Sequence, residues 1–371
     1  MDEVRITIIG AGVAGLAIAS ELSKKYDDII VLEKHDKFGQ ETSSRNSEVI
    51  HSGIYYPQGS LKAKLCLEGA ECLYEICRKH SIPHKKLGKL IIATDESELK
   101  ILDGLLKKGE KNNVKDLRLL KKEDIKKIEP NTNAIAAVYS PNTGIIDSHS
   151  LMKYFFNEAE SKGVSFAFNS EVNFLSKEKD GFLIGIKQEN YRFKSKMIIN
   201  CAGLFSDYIA GLAGLDINEK KYKLKLCKGS YFSYSKPSPV KTLIYPVPHD
   251  ELVGLGLHAT LDMGGKLRFG PDTEYIDHID YDVDVNKKDI FHEGAIKIIP
   301  GLEREFFTAD MAGVRPKLSG PDEKVKDFVI TDEAEEELPG LINLIGIESP
   351  GLTASPAIAK YVGNIVSSVL N

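Results

Sequence analysis

The sequence predicts an α/β protein in which a domain with a parallel sheet flanked by helices is interleaved with an α+β domain that has a mainly antiparallel sheet. The chain opens with a strand, a glycine-rich turn, a helix and a second strand over residues 5–33, which is typical of a parallel sheet. Residues 215–300 hold several short strand-like runs among Tyr, Pro and His residues, as antiparallel sheets do. A strand, a turn and a helix return at residues 341–370.

The composition excludes several classes of protein. Because a domain commonly holds about 150 residues, a chain of 371 residues is expected to form two or three domains. Hydrophobic residues make up 42% of the chain and charged residues 28%, which is ordinary globular usage and argues against disordered, collagenous or coiled-coil chains. The net charge of -5 argues against a protein devoted to nucleic acid, because such proteins are usually basic.

The cysteines and histidines do not predict a disulfide framework or a metal site. There are five cysteines and no CxxC pair. His80 and His84 have helical i,i+4 spacing, but Pro83 between them disfavours a continuous helix. Three cysteines fall on one predicted helix at steps that spread them around it, and we expect buried, inert thiols at Cys66, Cys72 and Cys77.

We expect a cytoplasmic protein, with peripheral contact at the inner face of the membrane left open. No apolar run reaches the ~18 residues of a membrane span, and the acidic start Met1-Asp2-Glu3 is unlike a signal peptide. Residues 107–127 are rich in lysine but hold no aromatic residue. That pattern disfavours nucleic-acid binding and leaves open a surface that docks on a membrane or a partner.

The strongest local pattern is Gly10-Ala-Gly-Val-Ala-Gly15, between a buried strand at 5–10 and a helix expected over 16–25. A second apolar strand, 29–32, ends at Glu33. Strand, GxGxxG, helix, strand and acid together predict a Rossmann-like dinucleotide site. Gly10 permits the tight turn, Gly12 the approach of a pyrophosphate, and Gly15 close packing of helix on strand. Glu33 is placed to accept hydrogen bonds from ribose hydroxyls.

The loop at residues 41–48, ETSSRNSE, gathers hydroxyl, amide and guanidinium groups beside this motif. Such groups suit a pyrophosphate and a ribityl chain. The extreme N-terminal position of the glycine motif, together with this loop, favours FAD over NAD. The alternative is a solvated surface loop.

Several segments resemble the L-2-hydroxyglutarate dehydrogenase/oxidase family, within the D-amino-acid-oxidase-like (glycine-oxidase-like) FAD superfamily. The resemblance rests on SRNSEVIHSGIYYP at 44–57, CLEG at 66–69, YPVP at 245–248, GLGLH at 254–258, AGVRPK at 312–317 and GIESPGLTASP at 346–356. The chain departs from the family pattern at Lys228-Gly-Ser230, where an Arg-Gly-Glu run is usual, and in a more apolar segment around Gly254.

The resemblance implies an FAD-binding domain at 1–86, 141–214 and 312–371, and a substrate-binding domain at 87–140 and 215–311. It implies FAD as cofactor and no metal. With the glycine motif it predicts these flavin-binding residues: Gly10, Gly12, Val13, Ala14, Gly15, Glu33, Lys34, Thr42, Ser43, Ser44, Arg45, Asn46, Ser47, His51, Ser52, Gly53, Val172, Cys201, Ala202, Gly203, Ser206, Arg315, Ser349, Pro350, Gly351, Leu352 and Thr353.

The implied reaction is oxidation of a 2-hydroxy acid, foremost L-2-hydroxyglutarate to 2-oxoglutarate, by hydride transfer to flavin N5. Arg315 is the first candidate for gripping the substrate carboxylate, since a guanidinium fork matches a carboxylate in two-point contact. Lys228 is a candidate for the distal carboxylate. His258 is the leading candidate for the base and His51 its rival, because histidine titrates near neutral pH. Tyr245 is expected to line the pocket, as are Tyr55 and Tyr56.

Other functions stay open at this level. A glycerol-3-phosphate dehydrogenase and an amine or amino-acid oxidase of the same superfamily are the enzymatic alternatives. A flavoprotein subunit that docks in a larger membrane-associated complex is the non-enzymatic one. Three kinds of electron acceptor stay open, namely a quinone, oxygen and another molecule, as does covalent attachment of flavin at His51.

Overall fold

The structure is a computed structural model, and it describes residues 2–188, 191–248, 257–321 and 323–370. Its α-helices in these ranges are α1 (Val13–Leu22), α2 (Leu61–Lys79), α3 (Leu99–Lys111), α4 (Lys122–Ile128), α5 (Ser148–Glu160), α6 (Ser206–Leu212), α7 (Lys288–Ile298) and α8 (Gly351–Leu370). Its strands are β1 (Glu3–Ile9), β2 (Ile29–Leu32), β3 (Val49–Ile50), β4 (His84–Lys85), β5 (Lys89–Ala93), β6 (Arg118–Lys121), β7 (Ala136–Ser140), β8 (Gly144–Ile146), β9 (Ser165–Ala167), β10 (Val172–Glu178), β11 (Gly181–Ile186), β12 (Tyr191–Asn200), β13 (Lys225–Tyr234), β14 (Leu243–Pro246), β15 (Ala259–Leu261), β16 (Leu267–Phe269), β17 (Glu274–Ile276), β18 (Phe307–Lys317), β19 (Val329–Glu333) and β20 (Leu338–Ile345).

The first large sheet has a parallel centre. Strands β12, β1, β2 and β9 pair in parallel in that order, and β20 adds in parallel to the end of β12. Antiparallel strands β10, β11 and β19 complete it. Helices α1, α2, α5 and α8 contribute the apolar cluster on one face. The predicted α/β class is therefore confirmed, with the glycine motif at the carboxyl end of β1.

The second large sheet is mainly antiparallel, as predicted. Its strand order is β17-β13-β16-β15-β14-β5-β7-β6, and β18 pairs along β13. The pairing of β14 with β5 is parallel. A third, small sheet is antiparallel and has the strand order β3-β8-β4. Its strand β3 follows the loop of residues 41–48 directly.

The two large sheets alternate along the chain. Strands β5–β7 and β13–β17 of the second sheet fall within the predicted substrate segments 87–140 and 215–311. The predicted boundary after residue 311 falls inside β18, which pairs with β13 as far as Lys317. The division into two domains otherwise stays a prediction.

The predicted end of α1 needs correction, and local side chains form hydrogen bonds at the starts of three other helices. Helix α1 ends at Leu22 rather than residue 25. The side chain that caps α5 is Asp147, which accepts from the Ser150 N–H at 2.8 Å, and Ser148 is the first helical residue. Helix α8 begins at Gly351, so Pro356 lies in its second turn. The Leu352 carbonyl oxygen, to which a proline nitrogen cannot donate, accepts from the Ser355 hydroxyl at 2.9 Å. Asp95 caps a short 3₁₀ turn ahead of α3.

Candidate active site

A cavity of about 580 Å³ is lined by residues of both large sheets. It collects most of the predicted site residues, although they are scattered through the sequence. Those that line it are Gly10, Gly12, Val13, Ala14, Glu33, Lys34, Thr42, Ser43, Arg45, Asn46, Ser47, His51, Val172, Cys201, Ala202, Gly203, Tyr245, His258, Arg315, Ser349, Pro350, Gly351 and Leu352. The predicted residues outside this lining are Gly15, Ser44, Ser52, Gly53, Tyr55, Tyr56, Ser206, Lys228 and Thr353.

The glycine turn brings backbone to the cavity with no side chain in the way. Gly10 has φ +104°, and a Cβ there would lie 2.5 Å from the Cys201 carbonyl oxygen. A Cβ on Gly15 would lie 2.0 Å from the Gly10 carbonyl oxygen, so α1 rests directly on the turn. Gly12 is the N-cap of α1 and supplies no side-chain cap. The N-terminus of α1 therefore faces the cavity with the partial positive charge that suits a phosphate.

Glu33, which follows β2, forms a hydrogen bond to this turn. The Ala11 N–H donates to Glu33 Oε2 at 2.8 Å, and the His35 N–H donates to Oε1 at 3.0 Å. The Glu33 side chain is buried and borders the cavity. Each carboxylate oxygen keeps a further lone pair for a ligand hydroxyl. The position predicted for ribose recognition is thus also a structural one.

The loop of residues 42–47 closes over the start of α1. The Val13 N–H donates to Ser43 Oγ at 3.0 Å, and the Thr42 hydroxyl donates to the Val314 carbonyl oxygen at 2.9 Å. The Asn46 amide donates to the Thr42 and Ser43 carbonyl oxygens at 3.2 and 2.8 Å. The loop is thereby tied to both α1 and β18, which fixes its polar groups along the cavity.

A cluster that the sequence did not point to holds the outer side of this loop. Glu41 pairs with Lys34 at 3.0 Å and with His35 at 2.9 Å, and it accepts a hydrogen bond from the Tyr281 hydroxyl. Burial opposes ionisation of Glu41, but the Tyr281, Lys34 and His35 contacts lower its pKa below the ordinary value. The Arg45 guanidinium stacks 4.1 Å from the Tyr281 ring centroid. Tyr281 thus joins the segment after β17 to the loop.

At the other end of the cavity, β13 and β18 lie side by side. Gly229 pairs with Gly313, and a Cβ on Gly313 would lie 2.0 Å from the Arg45 carbonyl oxygen. Two residues further along β18, Arg315 donates to Cys227 Sγ and Thr273 Oγ1, each at 3.3 Å. Within the described part of the chain, Arg315 Nε is buried without a hydrogen-bond partner. A free N–H of a guanidinium at a cavity wall is a site for an anion.

His51 lies where the loop after β3 meets α8. Its backbone N–H donates to Thr353 Oγ1 at 3.0 Å, and its Nε2 is 3.4 Å from Ser349 Oγ. Desolvation, reinforced by the charge of Lys89, lowers the pKa of His51 to about 3. The imidazole is therefore neutral at pH 7.

His258 and Tyr245 form a second part of the wall. Their rings stack with centroids 3.6 Å apart and planes 7° from parallel. Tyr245 is 1% exposed, and burial raises its pKa well above the ordinary value. The segment Gly254–Gly256, which contributed to the resemblance, lies outside the described residues.

The residues around the cavity fit FAD. Ser43 Oγ accepts from the Val13 N–H, and the glycine turn together with the later N–H groups of the first turn of α1 leaves room and donors for a pyrophosphate. Within the described ranges, Arg45 Nε is also buried without a partner. The first turn of α8, at Gly351 and Leu352, borders the cavity at its other end.

Comparison with known proteins decides the family. The model of the family DAO, described as FAD dependent oxidoreductase, matches residues 5–365. The chain belongs to the DAO family of FAD-dependent oxidoreductases. A protein described as a mitochondrial L-2-hydroxyglutarate dehydrogenase of Arabidopsis thaliana is 37% identical over 408 aligned residues, covering 98% of this chain and 83% of the relative. The cofactor of this DAO-family enzyme is FAD.

Two further relatives of this DAO-family chain carry a different substrate in their names. A glycerol 3-phosphate dehydrogenase of Caloramator mitchellensis is 32% identical, covering 98% of this chain and 74% of that protein. The solved structure of an L-alpha-glycerophosphate oxidase from Mycoplasma pneumoniae with FAD bound has a TM-score of 0.87 at 28% identity, covering 99% of this chain and 95% of that one. The fold is thus shared across DAO-family members named for different substrates.

The structure places Lys228 away from the cavity. Its ammonium pairs with Asp280, and its side chain is buried on the opposite face of β13 from Gly229. A Lys228 contact with a distal substrate carboxylate finds no support in this placement. Strand alternation explains it, because successive side chains point to opposite faces of a sheet.

Cavity residues missed in the sequence include Tyr231 and Glu348. Tyr231 follows Gly229 by two positions on β13 and so shares its face. Glu348 lies inside the GIESPGLTASP segment and pairs with Lys62 at 2.9 Å. Burial opposes ionisation of Glu348, but Lys62, Lys317 and Arg315 lower its pKa. The period-two pattern was the signal for Tyr231, and an acid within a flavin motif was the signal for Glu348.

The remaining predictions concern metals, thiols and membranes. Among the residues that the structure describes, no group of three or more His, Cys, Asp or Glu is placed to hold a metal ion. Cys66 and Cys77 are buried, and desolvation raises the pKa of each thiol to about 12. Cys72 departs from the expectation, because it is half-buried and its sulfur lies 3.3 Å from Lys360 Nζ. No helix in the described ranges is long and apolar enough to cross a membrane.

Proposed function

We propose that the protein oxidises L-2-hydroxyglutarate to 2-oxoglutarate. The observation that carries this proposal is that one cavity is bordered by the His51 imidazole and by the Arg315 guanidinium, whose Nε has no hydrogen-bond partner among the described residues. A carboxylate receptor and a proton acceptor are the two groups that oxidation of a 2-hydroxy acid requires from the protein. The relative from Arabidopsis thaliana, 37% identical, is named for this substrate.

Each side chain has a proposed part in the reaction. Arg315 binds the C1 carboxylate through its guanidinium and so orients the substrate. His51 accepts the proton of the C2 hydroxyl, while the C2 hydrogen leaves with its electron pair. FAD, when bound, supplies the acceptor for that hydride. His258, held flat against Tyr245, shapes the substrate end and is the rival candidate for the base.

The N-terminus of α8 has a proposed part in stabilising the charge that the reaction creates. The first N–H groups of a helix lack intrahelical partners and carry partial positive charge. The Glu348 carbonyl oxygen accepts from the Gly351 N–H at 2.5 Å, so the group of this kind that borders the cavity, close to His51, is the N–H of Leu352. We propose that it favours negative charge on the reduced cofactor.

Oxidation of glycerol 3-phosphate is the second candidate. It is favoured by the names of the Caloramator mitchellensis and Mycoplasma pneumoniae relatives. Arg315 suits a phosphate as well as a carboxylate, so the cavity wall alone does not separate the two substrates. The electron acceptor, whether a quinone or another molecule, and a location in the cytoplasm or at the inner face of the membrane stay predictions.

An anaerobic reduction experiment tests the proposal. The purified flavoprotein is mixed separately with L-2-hydroxyglutarate, its D-enantiomer and glycerol 3-phosphate, and the visible flavin absorption is followed in time. Rapid bleaching by the L-hydroxy acid alone is expected. Bleaching by glycerol 3-phosphate alone would assign the second function. An unchanged flavin band with all three compounds would overturn both.

A further inference from the structure

A lysine is buried beside the substrate end of the cavity without a charged partner. Lys89 begins β5 and is 1% exposed. It pairs across the sheet with Leu243 of β14 and Ser140 of β7. Its ammonium lies 4.8 Å from the ring centroid of Tyr55 and 4.6 Å from that of Tyr245. Within the described residues, neither a hydrogen bond nor an ion pair holds this nitrogen.

The contrast with the other buried lysines is sharp. Lys62 is paired with Glu348 and Lys228 with Asp280, as buried charges generally are. Lys89 sits among apolar neighbours such as Leu243 and Ile91, both fully buried. A leucine or methionine at this position would avoid the cost of desolvating an ammonium. A buried group left without a partner calls for a functional explanation.

Tyr245 connects this charge to the cavity, and Tyr55 lies behind the cavity wall. Tyr245 lines the cavity and has His258 stacked on one ring face, so the Lys89 ammonium lies over the other face. The Tyr55 hydroxyl is buried and, among the described residues, also lacks a hydrogen-bond partner. Among the described residues, an ammonium and a hydroxyl that both lack hydrogen-bond partners thus lie together behind the cavity wall that the substrate faces.

We propose that Lys89 is a positioning residue that supplies, from behind Tyr55 and Tyr245, the counter-charge for the second carboxylate of a dicarboxylate substrate. This rests on the proposed function in so far as the substrate is a 2-hydroxy dicarboxylate. Arg315 takes the carboxylate next to the reacting carbon, and the Lys89 charge favours a second anionic group at the tyrosine wall. A monocarboxylate gains nothing from it, so Lys89 contributes to substrate specificity.

Binding of such an anion should draw a proton onto Lys89. Desolvation lowers the pKa of its ammonium to about 7, so without an anion nearby the group loses its charge as the pH rises above 7. A bound carboxylate favours the charged form and raises that pKa. The titratable groups that face Lys89 are His51 and Tyr55 from the loop after β3, Cys66 from α2 and Tyr245 from β14. The pKa of His51 is about 3 and that of Cys66 about 12, and burial raises those of both tyrosines.

The test compares two non-oxidisable probes on the flavin-loaded enzyme. Glutarate carries two carboxylates and butyrate only one. Their dissociation constants are measured from the perturbation of the flavin spectrum for wild type, Lys89→Met and Lys89→Arg. We expect Lys89→Met to weaken glutarate about tenfold while leaving butyrate unchanged, because the removed charge acts on the second carboxylate alone. Lys89→Arg should retain most of the glutarate affinity.

Calorimetry in buffers of different ionisation enthalpy supplies the second readout. Wild type should take up protons when glutarate binds near pH 8, and Lys89→Met should not. Lys86→Met is the matched control, because the exposed Lys86 also lies over a tyrosine, Tyr74, at 5.6 Å from its ring centroid. This control should bind both probes and take up protons as wild type does.

Each alternative outcome has a definite meaning. Equal weakening of glutarate and butyrate would place the Lys89 effect at the flavin or at Arg315 and overturn the proposal. Unchanged affinities and proton uptake in Lys89→Met would make the lysine merely structural. If Lys89→Met does not retain flavin, absence of proton uptake in wild type still overturns the proposal. Wild type that is bleached by L-2-hydroxyglutarate keeps the proposed function whatever the Lys89 variants do.

Discussion

At the end of the cavity where α1 begins, the wall is mostly backbone, whereas at the other end it consists of side chains from separate strands. The glycine turn, the α1 N-terminus and Glu33 come from one continuous stretch, residues 10–33. Tyr231, Tyr245, His258 and Arg315 come from positions spread over most of the second sheet. The first end, which we call the backbone end, presents groups that every Rossmann-like strand–turn–helix unit can offer. The second, which we call the side-chain end, presents groups particular to this chain.

The difference separates cofactor binding from substrate choice. Backbone N–H groups at a helix N-terminus bind a phosphate whatever the reaction. Under the proposed function, side chains such as Arg315 and His51 decide which substrate is bound and which proton moves. Changes at the first end should therefore remove the flavin, and changes at the second should leave the flavin in place and alter the kinetics.

Gly15→Ala tests the backbone end and should have the largest effect. An added methyl would lie 2.0 Å from the Gly10 carbonyl oxygen, so either α1 or the turn must move. We expect destabilisation by about 3 kcal/mol and loss of most of the bound flavin. The ratio of visible flavin absorbance to protein absorbance after purification, with urea unfolding, measures both.

Gly104→Ala is the control for that change. Gly104 lies in α3, and a Cβ there meets nothing within 4 Å. Alanine should preserve the flavin and raise stability by up to about 1 kcal/mol, because it is the better helix former. Normal flavin content in Gly15→Ala would show that the α1 contact with the turn is not needed for the site.

The same contrast explains what could be predicted from the sequence. The backbone end follows from local pattern, since glycines, apolar strand residues and an acid at fixed spacing specify a turn wherever they occur. The substrate end depends on the register of β13 against β18, which no local pattern contains. Lys228 was predicted on its charge, but Gly229 and Tyr231 occupy the cavity face. A shift of one residue along a strand exchanges the two faces.

Lys89 illustrates a second limit to prediction from the sequence. A single lysine within an otherwise apolar strand, KLIIA, was visible in the sequence. Its lack of a charged partner became visible only when Tyr55, from the loop after β3, and Tyr245, from β14, were placed around it. Burial and pairing are tertiary properties, so the sequence predicts the strand but not the state of the charge.

His51→Gln tests the side-chain end through proton transfer. Flavin content should be normal, and reduction by L-2-hydroxyglutarate should slow roughly 10²–10⁴-fold, since glutamine cannot take the hydroxyl proton. Anaerobic stopped-flow absorbance gives the rate. His258→Gln, measured beside it, should have a smaller effect. If the two effects are reversed, the base is His258.

The pH dependence of the wild-type rate checks the same assignment. Desolvation holds the pKa of His51 at about 3, so its neutral form persists as the pH falls from 8 to 5. The reduction rate should therefore show no decline through the ordinary histidine pKa near 6.5. His292→Gln is the control for the loss of a histidine in His51→Gln. The His292 Nε2 lies 3.0 Å from the Leu302 carbonyl oxygen, and His292 does not line the cavity. A decline centred near pH 6.5 would indicate a different proton acceptor.

Arg315→Lys should have the smallest of these effects. It tests only how the Arg315 guanidinium binds the substrate carboxylate. Lysine keeps the positive charge but has no planar fork, so the substrate is still attracted and is less well oriented. We expect KM for L-2-hydroxyglutarate to rise about 10–100-fold, with flavin content unchanged. Arg268→Lys is the matched control, because Arg268 lies in the same sheet and pairs with Asp310 at 2.6 Å. An unchanged KM in Arg315→Lys would remove the guanidinium from substrate binding. The side-chain end would then owe its specificity to the histidines and to the tyrosine wall in front of Lys89.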